Sequence, residues 1–356
     1  MTVPSTSELR ASIDGPVLLS GEDGFAEEVA AFNLAVSYEP QIVIGATNAA
    51  DVQTAVRFAA AAGRSVAVLN TGSGPARDVT GDAVLITTRR MSGMTIDADR
   101  RTARVQVGVR WGQVVAAAAE SGLVPLAGSS PEVGVVGYTL GGGSSVLLGR
   151  KHGYNTDHVH SIDVVTADGE FRHVTRESGG LFFTKAPDEL RSSGAVPART
   201  RPAVRPGVHA RQPDRVRPAV LPTITNDPTQ PGASVEHFAL LDDLTPEALD
   251  AILAEAGPDS AGRLTLVDIS QLDGAFANPP AVPNAVGRRD AGYALFALTV
   301  LPPDVRGVDQ NLNRADADPS VVRRVYDDAT YRRLQAIKAE YDPANTFRWN
   351  HNIPPA

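Results

Sequence analysis

Three short stretches of the sequence carry residue types that bind ligands through backbone amides and small polar side chains. The first, residues 70–75, reads NTGSGP and follows an apolar segment. Successive backbone N–H groups in such a turn can form a concave site for an anion such as a pyrophosphate. A dinucleotide fingerprint would need a third glycine and a helix next, and neither follows here. An ordinary tight turn is the alternative interpretation.

The second stretch, residues 128–143, reads GSSPEVGVVGYTLGGG and has six glycines in sixteen residues. Glycine at this density lets the backbone approach another group where a side chain would clash. The apolar residues between the glycines would anchor the loop in a core. A glycine-rich loop with a purely structural role is the alternative.

The third stretch, Asn350, His351 and Asn352, follows the end of a helical pattern. Amide and imidazole groups can hydrogen-bond the carbonyls and ring nitrogens of a planar ligand. A tail without a fixed structure is the alternative for these residues.

Other chemistries find little support in the sequence. His158 and His160 share one face of a predicted strand, but no third metal ligand is evident, and a surface strand is the simpler interpretation. The sequence contains no HExxH motif, no serine in a nucleophile elbow and no lysine after a glycine run. It also contains no cysteine, which excludes disulfides, thiolate metal sites and cysteine nucleophiles. We therefore predict no metal site.

Alternating helices and strands must position these stretches. Asn48 caps a predicted helix that runs to Ala62 and ends at Gly63. A second helix is predicted over residues 111–121, a third begins at Thr245-Pro246, and one or two more occupy residues 319–341. Apolar or alternating segments predict strands at residues 41–45, 66–69, 83–87, 94–97, 102–107, 160–166, 171–174, 235–241, 264–269 and 293–300.

Composition and charge narrow the class of protein. The chain has 356 residues, a length that suits two domains, and 42% hydrophobic residues, which is enough for a sizeable core. Its net charge of -8 argues against a general nucleic-acid or anionic-membrane partner. The chain begins with no basic and apolar leader, and its apolar runs are far shorter than the roughly 20 residues of a membrane helix. We therefore expect a soluble cytoplasmic protein.

One internal segment differs from the rest. Residues 185–222 hold seven prolines and eight basic residues against three acidic ones. Proline at this density fits neither a helix nor a central strand. The segment lacks interleaved aromatic residues that would stack bases. We predict an irregular linker over residues 179–229.

Together, the three stretches resemble the FAD-linked oxidase family, which has a vanillyl-alcohol-oxidase (PCMH) type flavin domain. Bacterial berberine-bridge-enzyme-like oxidoreductases are the most similar branch. The resemblance covers about residues 15–178 and 230–356, including HGYNTDHVHSIDVVTADGEFRHVT and the end YRRLQAIKAEYDPANTFRWNHNIPPA. It implies an α+β fold: a two-subdomain FAD-binding domain at residues 1–178, an antiparallel-sheet substrate domain with covering helices at residues 230–340, and a tail at residues 341–356 that returns to the FAD domain.

The resemblance also implies a role for each stretch. The first loop would hold the FAD pyrophosphate, the second would line the flavin and its ribityl chain, and a strand around Val164 would meet the adenosine. The tail asparagines would close over the isoalloxazine. The implied FAD-binding residues are Asn70, Thr71, Gly72, Ser73, Gly74, Gly128, Ser129, Ser130, Gly134, Gly137, Gly141, Gly142, Gly143, Val164, Asn350 and Asn352.

The sequence departs from the family at three places. Ser73 stands where many members have a histidine bonded to the flavin, and Ser130 stands where a second covalent link often uses cysteine. Serine forms neither bond, so FAD is expected to bind non-covalently. After residue 178 the chain lacks the LFWALRGGGGNFG-like segment and a strand that complete the flavin domain in the family, and it is shortened again near residues 307–314. A deleted and partly out-of-frame gene is the simplest hypothesis for this departure.

These features lead to a functional hypothesis. We expect an FAD-dependent oxidoreductase that transfers hydride from a small organic substrate to the flavin, with dioxygen as the oxidant that restores it. A general base in this family is often a tyrosine or a carboxylate, and Tyr293 is the candidate here. An ordinary half-buried tyrosine is the alternative. A truncated non-catalytic relative and a non-redox cyclase on the same fold remain the alternatives for the whole protein.

Overall fold

The computed structural model describes residues 5–74, 77–175, 227–257, 260, 264–302 and 319–356. The predicted linker therefore lies almost entirely outside the described residues, as do the boundary at residue 178 and the shortening near residues 307–314. Within the described part of the chain, no helix is both long and apolar enough to cross a membrane.

The first subdomain is a four-stranded mixed sheet covered on both faces. Its strand order is β1-β2-β4-β3, with β1 antiparallel to β2 and the other neighbours parallel. Helix α3 begins as the sequence predicts, because the Asn48 side chain accepts a hydrogen bond from the Asp51 backbone N–H at 2.9 Å. The elements are α1 (Thr6–Ala11), β1 (Val17–Leu19), α2 (Phe25–Glu28), β2 (Tyr38–Gly45), α3 (Ala49–Ala61), β3 (Val66–Leu69) and β4 (Val79–Thr87).

Alternation along the strands builds two cores on this sheet. Ile42 and Ile44 of β2 face α3, which buries Val56 against them. Val43 and Leu85 face the other way and form a second core with Tyr38. Because both faces are covered, the parallel strands consist of nearly continuous apolar residues.

The second subdomain contains the glycine-rich stretch and two β-hairpins. Strands β5 and β6 pair antiparallel, and so do β7 and β8, whose turn contains the predicted Asp168-Gly169 pair. The glycine-rich stretch contains a short helix that the sequence analysis did not predict. The elements are β5 (Met94–Asp97), β6 (Thr102–Val105), α4 (Trp111–Glu120), α5 (Val135–Leu140), α6 (Gly149–His152), a 3-10 turn (Asn155–His158), β7 (Ser161–Val165) and β8 (Phe171–Thr175).

The third region is a three-stranded antiparallel sheet of order β10-β11-β9. Thr245 caps its helix with Pro246 at the first position, as predicted. The elements are β9 (Ser234–Leu241), α7 (Pro246–Ala256), β10 (Leu266–Gln271), a 3-10 turn (Gly274–Ala277), β11 (Tyr293–Val300), α8 (Pro319–Arg323) and α9 (Asp328–Tyr341). This architecture, a mixed α/β region followed by an antiparallel sheet, confirms the expected α+β fold class.

Candidate functional site

The first predicted loop leaves β3 and is held by backbone hydrogen bonds from residues 32–33. The backbone N–H of Phe32 donates to the Thr71 carbonyl at 2.8 Å, and that of Asn33 donates to the Gly72 carbonyl at 3.0 Å. Gly72 has φ 66°, and a Cβ there would lie 2.5 Å from the Cβ of Ala31. Only glycine fits this position, because a side chain would meet both backbone strain and a steric clash.

The hydroxyls of this loop point at each other. Ser73 donates from Oγ to Thr71 Oγ1 at 3.0 Å, and its backbone N–H approaches the same oxygen at 3.4 Å. Gly74 is exposed at the end of the loop. Because both hydroxyls can rotate toward an acceptor, the loop offers donors to an anion.

The structure brings the first loop against the second. A Cβ on Gly134 would lie 2.5 Å from Nδ2 of Asn70, and that same Nδ2 donates to the Val107 carbonyl at 2.7 Å. Gly134 is buried and begins α5. The contact between Asn70 and Gly134 therefore requires glycine and fixes the distance between the two loops.

The rest of the second loop surrounds Tyr138. A Cβ on Gly128 would lie 2.9 Å from the Tyr138 ring, and one on Gly143 would lie 2.7 Å from it. Ser130 accepts a hydrogen bond from the Glu132 backbone N–H at 3.3 Å, and Ser129 is half-buried beside it. The two ends of the glycine-rich stretch thus meet across one aromatic ring.

Tyr138 is a polar residue that the sequence analysis missed. Its Oη is buried without a hydrogen-bond partner among the described residues, and its ring meets Trp111 edge-on at 5.4 Å. Burial raises the pKa of the phenol above its ordinary value of 10, so it stays protonated and remains a donor. A buried donor without a partner costs about 1–3 kcal/mol unless a ligand accepts its hydrogen bond.

The diglycine end of the second loop is supported by the turn at Asn155–His158. Asn155 and Thr156 donate backbone hydrogen bonds to the carbonyls of Gly143 and Gly142 at 2.8 and 3.0 Å. The Asn155 side chain also contacts Thr139 Oγ1 at 2.8 Å. Gly141 is exposed, and Gly137 is exposed with open space around it. Their exposure leaves them accessible to a ligand.

The C-terminal tail lies against the strand that leads into the first loop. The Val66 N–H donates to the Thr346 carbonyl at 2.9 Å, and Trp349 Nε1 donates to Ser65 Oγ at 2.9 Å. Asn352 is half-buried, and its Oδ1 is buried without a partner among the described residues. Asn350, by contrast, is exposed. The orphaned amide oxygen, like Tyr138 Oη, fits a site that holds a polar ligand.

Two predicted residues lie apart from the loops. Val164 is half-buried on β7, opposite Arg172 of β8. Tyr293 begins β11, opposite Leu241 and Gln271. Strand alternation puts the Tyr293 side chain on the face away from Ala294. Its catalytic role stays a prediction. Among the described residues, no group of three or more His, Asp or Glu side chains could hold a metal ion.

The described residues fit a polar, phosphate-bearing ligand such as FAD by their chemistry. Two glycine loops touch at Asn70, backbone and hydroxyl donors line the first, and buried polar atoms without partners lie in the second and in the tail. The sequence matches two families: the FAD binding domain over residues 40–175, and "Berberine and berberine like" over residues 311–354. The chain therefore contains the FAD binding domain of the FAD-linked oxidases, followed by a berberine-like C-terminal segment.

Named relatives agree with this assignment. The chain is 31% identical over 160 residues to (R)-6-hydroxynicotine oxidase of Paenarthrobacter nicotinovorans, covering 45% of this chain and 35% of that protein. It is 33% identical over 150 residues to Berberine bridge enzyme-like 18 of Arabidopsis thaliana, covering 41% of this chain and 28% of that protein. The matched region spans about a third or less of the length of these curated relatives.

Solved structures share the fold. The structure of 6-hydroxy-D-nicotine oxidase from Arthrobacter nicotinovorans aligns with a TM-score of 0.71 at 18% identity, covering 97% of this chain and 99% of the other. The carbohydrate oxidase from Microdochium nivale aligns with a TM-score of 0.75 at 14% identity, covering 99% of each chain. At these identities the likeness concerns the fold alone.

Proposed function

We propose that this protein is an FAD-dependent oxidoreductase that binds FAD non-covalently and oxidises a small organic substrate by hydride transfer. The observation that carries the proposal is the convergence of the two glycine loops at the Asn70–Gly134 contact. Tyr138 Oη in the second loop and Asn352 Oδ1 in the tail are also buried without a hydrogen-bond partner among the described residues. Family membership supports the cofactor class. When bound, FAD supplies the hydride acceptor for such a reaction.

The residues divide the binding task by chemistry. The backbone and hydroxyls of residues 70–74 bind the phosphates, because they present donors and no negative charge. The glycines of the second loop allow close approach of the ribityl chain and ring, while Tyr138 donates from its protonated phenol. The strand at Val164 meets the adenosine end, and the tail at Asn350 and Asn352 covers the ring.

The attachment is inferred from the side chains at two positions. Ser73 and Ser130 occupy the places of the histidine and cysteine that resemblance to the family associates with covalent flavin bonds. A serine hydroxyl forms neither bond, so the cofactor is held by contacts alone. Dioxygen is the proposed electron acceptor, with peroxide as its product.

A visible spectrum of the full-length protein tests the proposal. Purified protein, reconstituted with FAD if needed, is expected to show flavin absorbance, and acid precipitation is expected to release all of it to the supernatant. Colour retained in the pellet would contradict non-covalent binding. Failure to bind FAD after reconstitution would favour a non-catalytic relative. Substrate turnover without bleaching of the flavin under anaerobic conditions would favour a non-redox reaction.

A further inference from the structure

Residues 32–34, which we call the bridge segment, join the first loop to the start of β9. The first two backbone N–H groups of this segment donate to the loop, residues 70–74. On the other side, the Phe32 carbonyl accepts from the Gly232 N–H, and the Leu34 N–H donates to the Gly232 carbonyl, each at 3.0 Å. The bridge segment therefore connects two parts of the chain that are far apart in the sequence.

The Asn33 side chain completes the contact with β9. Its Nδ2 donates to the Ser234 carbonyl at 3.1 Å, and its Oδ1 accepts from the Ser234 N–H at 3.2 Å. The same Oδ1 accepts from the Ala35 N–H at 3.0 Å, and this Asx turn fixes the direction of the side chain. Asn33 is only 6% exposed, so water competes little for these bonds. The side-chain amide thus pairs with the first residue of β9 as the backbone of a neighbouring strand would.

The position of the bridge segment sets the direction of donors in the first loop. In a trans peptide, the C=O and the N–H of the next residue point in opposite directions. The Thr71 and Gly72 carbonyls accept from the bridge segment, so the N–H groups of Gly72 and Ser73 point away from it. Successive N–H groups of this kind are the donors that a phosphate at the loop requires.

The residues before the bridge segment are fixed independently by Arg89. Its guanidinium donates to the carbonyls of Glu27, Glu28 and Ala30 at 3.0, 2.9 and 2.9 Å. Arg89 follows β4, so these bonds attach the residues to the first subdomain. Because one end of this stretch is already fixed, the Asn33 side chain supplies the connection from its other end to β9.

We propose that Asn33 is a positioning residue that couples the phosphate-binding donors of the first loop to β9. Its side chain bonds Ser234 and Ala35 rather than the loop, so it acts through the backbone of the bridge segment. Ordering of either partner then favours ordering of the other, because such coupling is reciprocal. The inference rests on the proposed function, which assigns the first loop to the FAD phosphates.

Amide hydrogen exchange of the full-length protein tests the coupling without any ligand. Asn33→Ala removes the bonds to Ser234 but keeps the backbone N–H that binds Gly72. The Phe32 amide donates to the Thr71 carbonyl, so its exchange rate reports how firmly the first loop is held. We expect this amide to exchange about tenfold faster in Asn33→Ala than in the wild type, after correction for intrinsic rates.

A second variant loosens the same connection from the β9 side. Gly232→Pro removes the N–H that donates to the Phe32 carbonyl and changes no atom of the first loop. We expect a similar increase in exchange of the Phe32 amide. The double variant with Asn33→Ala should show less than the combined effect of the two single variants, because both release one shared contact.

Asn48→Ala is the matched control. It is the same substitution at another amide side chain with several hydrogen bonds, which cap α3 and reach Asp14. Loss of this cap should lower overall stability and leave exchange of the Phe32 amide, relative to global unfolding, at the wild-type value. The control therefore separates the coupling from a general loss of stability.

FAD affinity measures the consequence at the proposed site. By fluorescence titration we expect FAD to bind about fivefold more weakly to Asn33→Ala and to Gly232→Pro than to the wild type, and unchanged affinity in Asn48→Ala. In the wild type, saturating FAD should in turn slow exchange of the Ser234 amide, because the coupling acts in both directions.

The possible outcomes distinguish this inference from the proposed function. Wild-type exchange of the Phe32 amide in both variants would overturn the coupling, and so would FAD affinity that is equal in the wild type and both variants. If Asn33→Ala does not fold, the Gly232→Pro result decides. Wild-type protein that binds no FAD would contradict the oxidoreductase assignment, and the exchange rates alone would then decide whether Asn33 couples the loop to β9.

Discussion

Arg289 forms a two-point ion pair with Asp157, although 132 residues separate them in the sequence. The guanidinium donates to the two carboxylate oxygens at 2.7 and 3.1 Å, and it lies over the Tyr154 ring at 5.0 Å. Asn284 donates to the same carboxylate at 2.7 Å. This pair joins the segment before β11 to the turn that supports Gly142 and Gly143. It therefore connects the region of the β9–β11 sheet to a proposed cofactor loop.

Replacing Arg289 should lower the stability of the folded protein. The two side chains are only 13% and 11% exposed, so Arg289→Met leaves a nearly buried carboxylate without its main partner. We expect a loss of about 3 kcal/mol in the free energy of unfolding, measured by urea titration. Arg288→Met is the matched control, because its pair with Asp242 is exposed and should contribute less than about 1 kcal/mol. Equal losses in the free energy of unfolding for the two variants would show that the Arg289–Asp157 pair stabilises the fold no more than the exposed pair does.

Gly134→Ala tests the contact between the two loops. The added Cβ would lie 2.5 Å from Asn70 Nδ2 and would displace the amide from the Val107 carbonyl. We expect a loss of about 1–3 kcal/mol in stability and at least about tenfold weaker FAD binding, measured by denaturation and fluorescence titration. Unchanged FAD affinity would show that the Asn70–Gly134 contact does not contribute to the cofactor site.

Gly137→Ala should separate cofactor binding from folding. Gly137 lies within α5, and no atom lies within 4 Å of the added Cβ. Alanine in a helix is favoured over glycine by up to about 1 kcal/mol, so the melting temperature should hold or rise. If Gly137 lines the flavin as the resemblance implies, FAD affinity should fall all the same. Unchanged affinity would remove Gly137 from the proposed site.

Asp342 should hold the C-terminal tail in place. Its carboxylate accepts from the Thr346 and Phe347 backbone N–H groups at 2.7 and 3.0 Å and pairs with Lys338. Asp342→Ala is expected to cost about 3 kcal/mol and to raise hydrogen exchange across residues 346–352. Asp328→Ala removes an exposed pair from the same helix and should change exchange there little. Unaltered tail exchange in Asp342→Ala would contradict this role.

Glu236 should make stability depend on pH in a defined direction. Burial raises the pKa of Glu236 above its ordinary 4.5, so the folded state favours the protonated form. That favourable contribution is complete below the ordinary value and is lost as pH rises through the raised pKa. Glu236→Gln, which never ionises, should therefore gain stability over the wild type at about pH 8 and not at about pH 4. Thermal melts of both proteins at the two pH values check this, and an equal difference at both would contradict it.

Local chemistry made much of the fold predictable. The Asn48 cap, the Thr245-Pro246 helix start and the Asp168-Gly169 turn each depend on a side chain acting on its own neighbours. The nearly continuous apolar run from Tyr293 to Val300 predicted β11 at its observed bounds. The two glycine stretches were recognisable because several glycines in a short segment indicate that its backbone closely approaches another group, even when that group is not known.

Other features depend on residues far apart in the chain. The short helix inside the glycine-rich stretch has little helical propensity, and it forms where the Val135 backbone N–H donates to the Val109 carbonyl at 3.0 Å. No sequence pattern around Asn33 or Tyr138 indicated the contacts that these two residues make.

The sequence by itself predicted the flanking elements, because glycines, caps and strand alternation act within a few residues, and its resemblance to a family predicted the class of cofactor. It also determined the absence of cysteine and the serines at the two anchor positions. The tertiary structure alone decided that Asn70 meets Gly134 and that Arg289 meets Asp157. These relationships join residues that only packing brings together, and no local propensity encodes which distant surfaces bury each other.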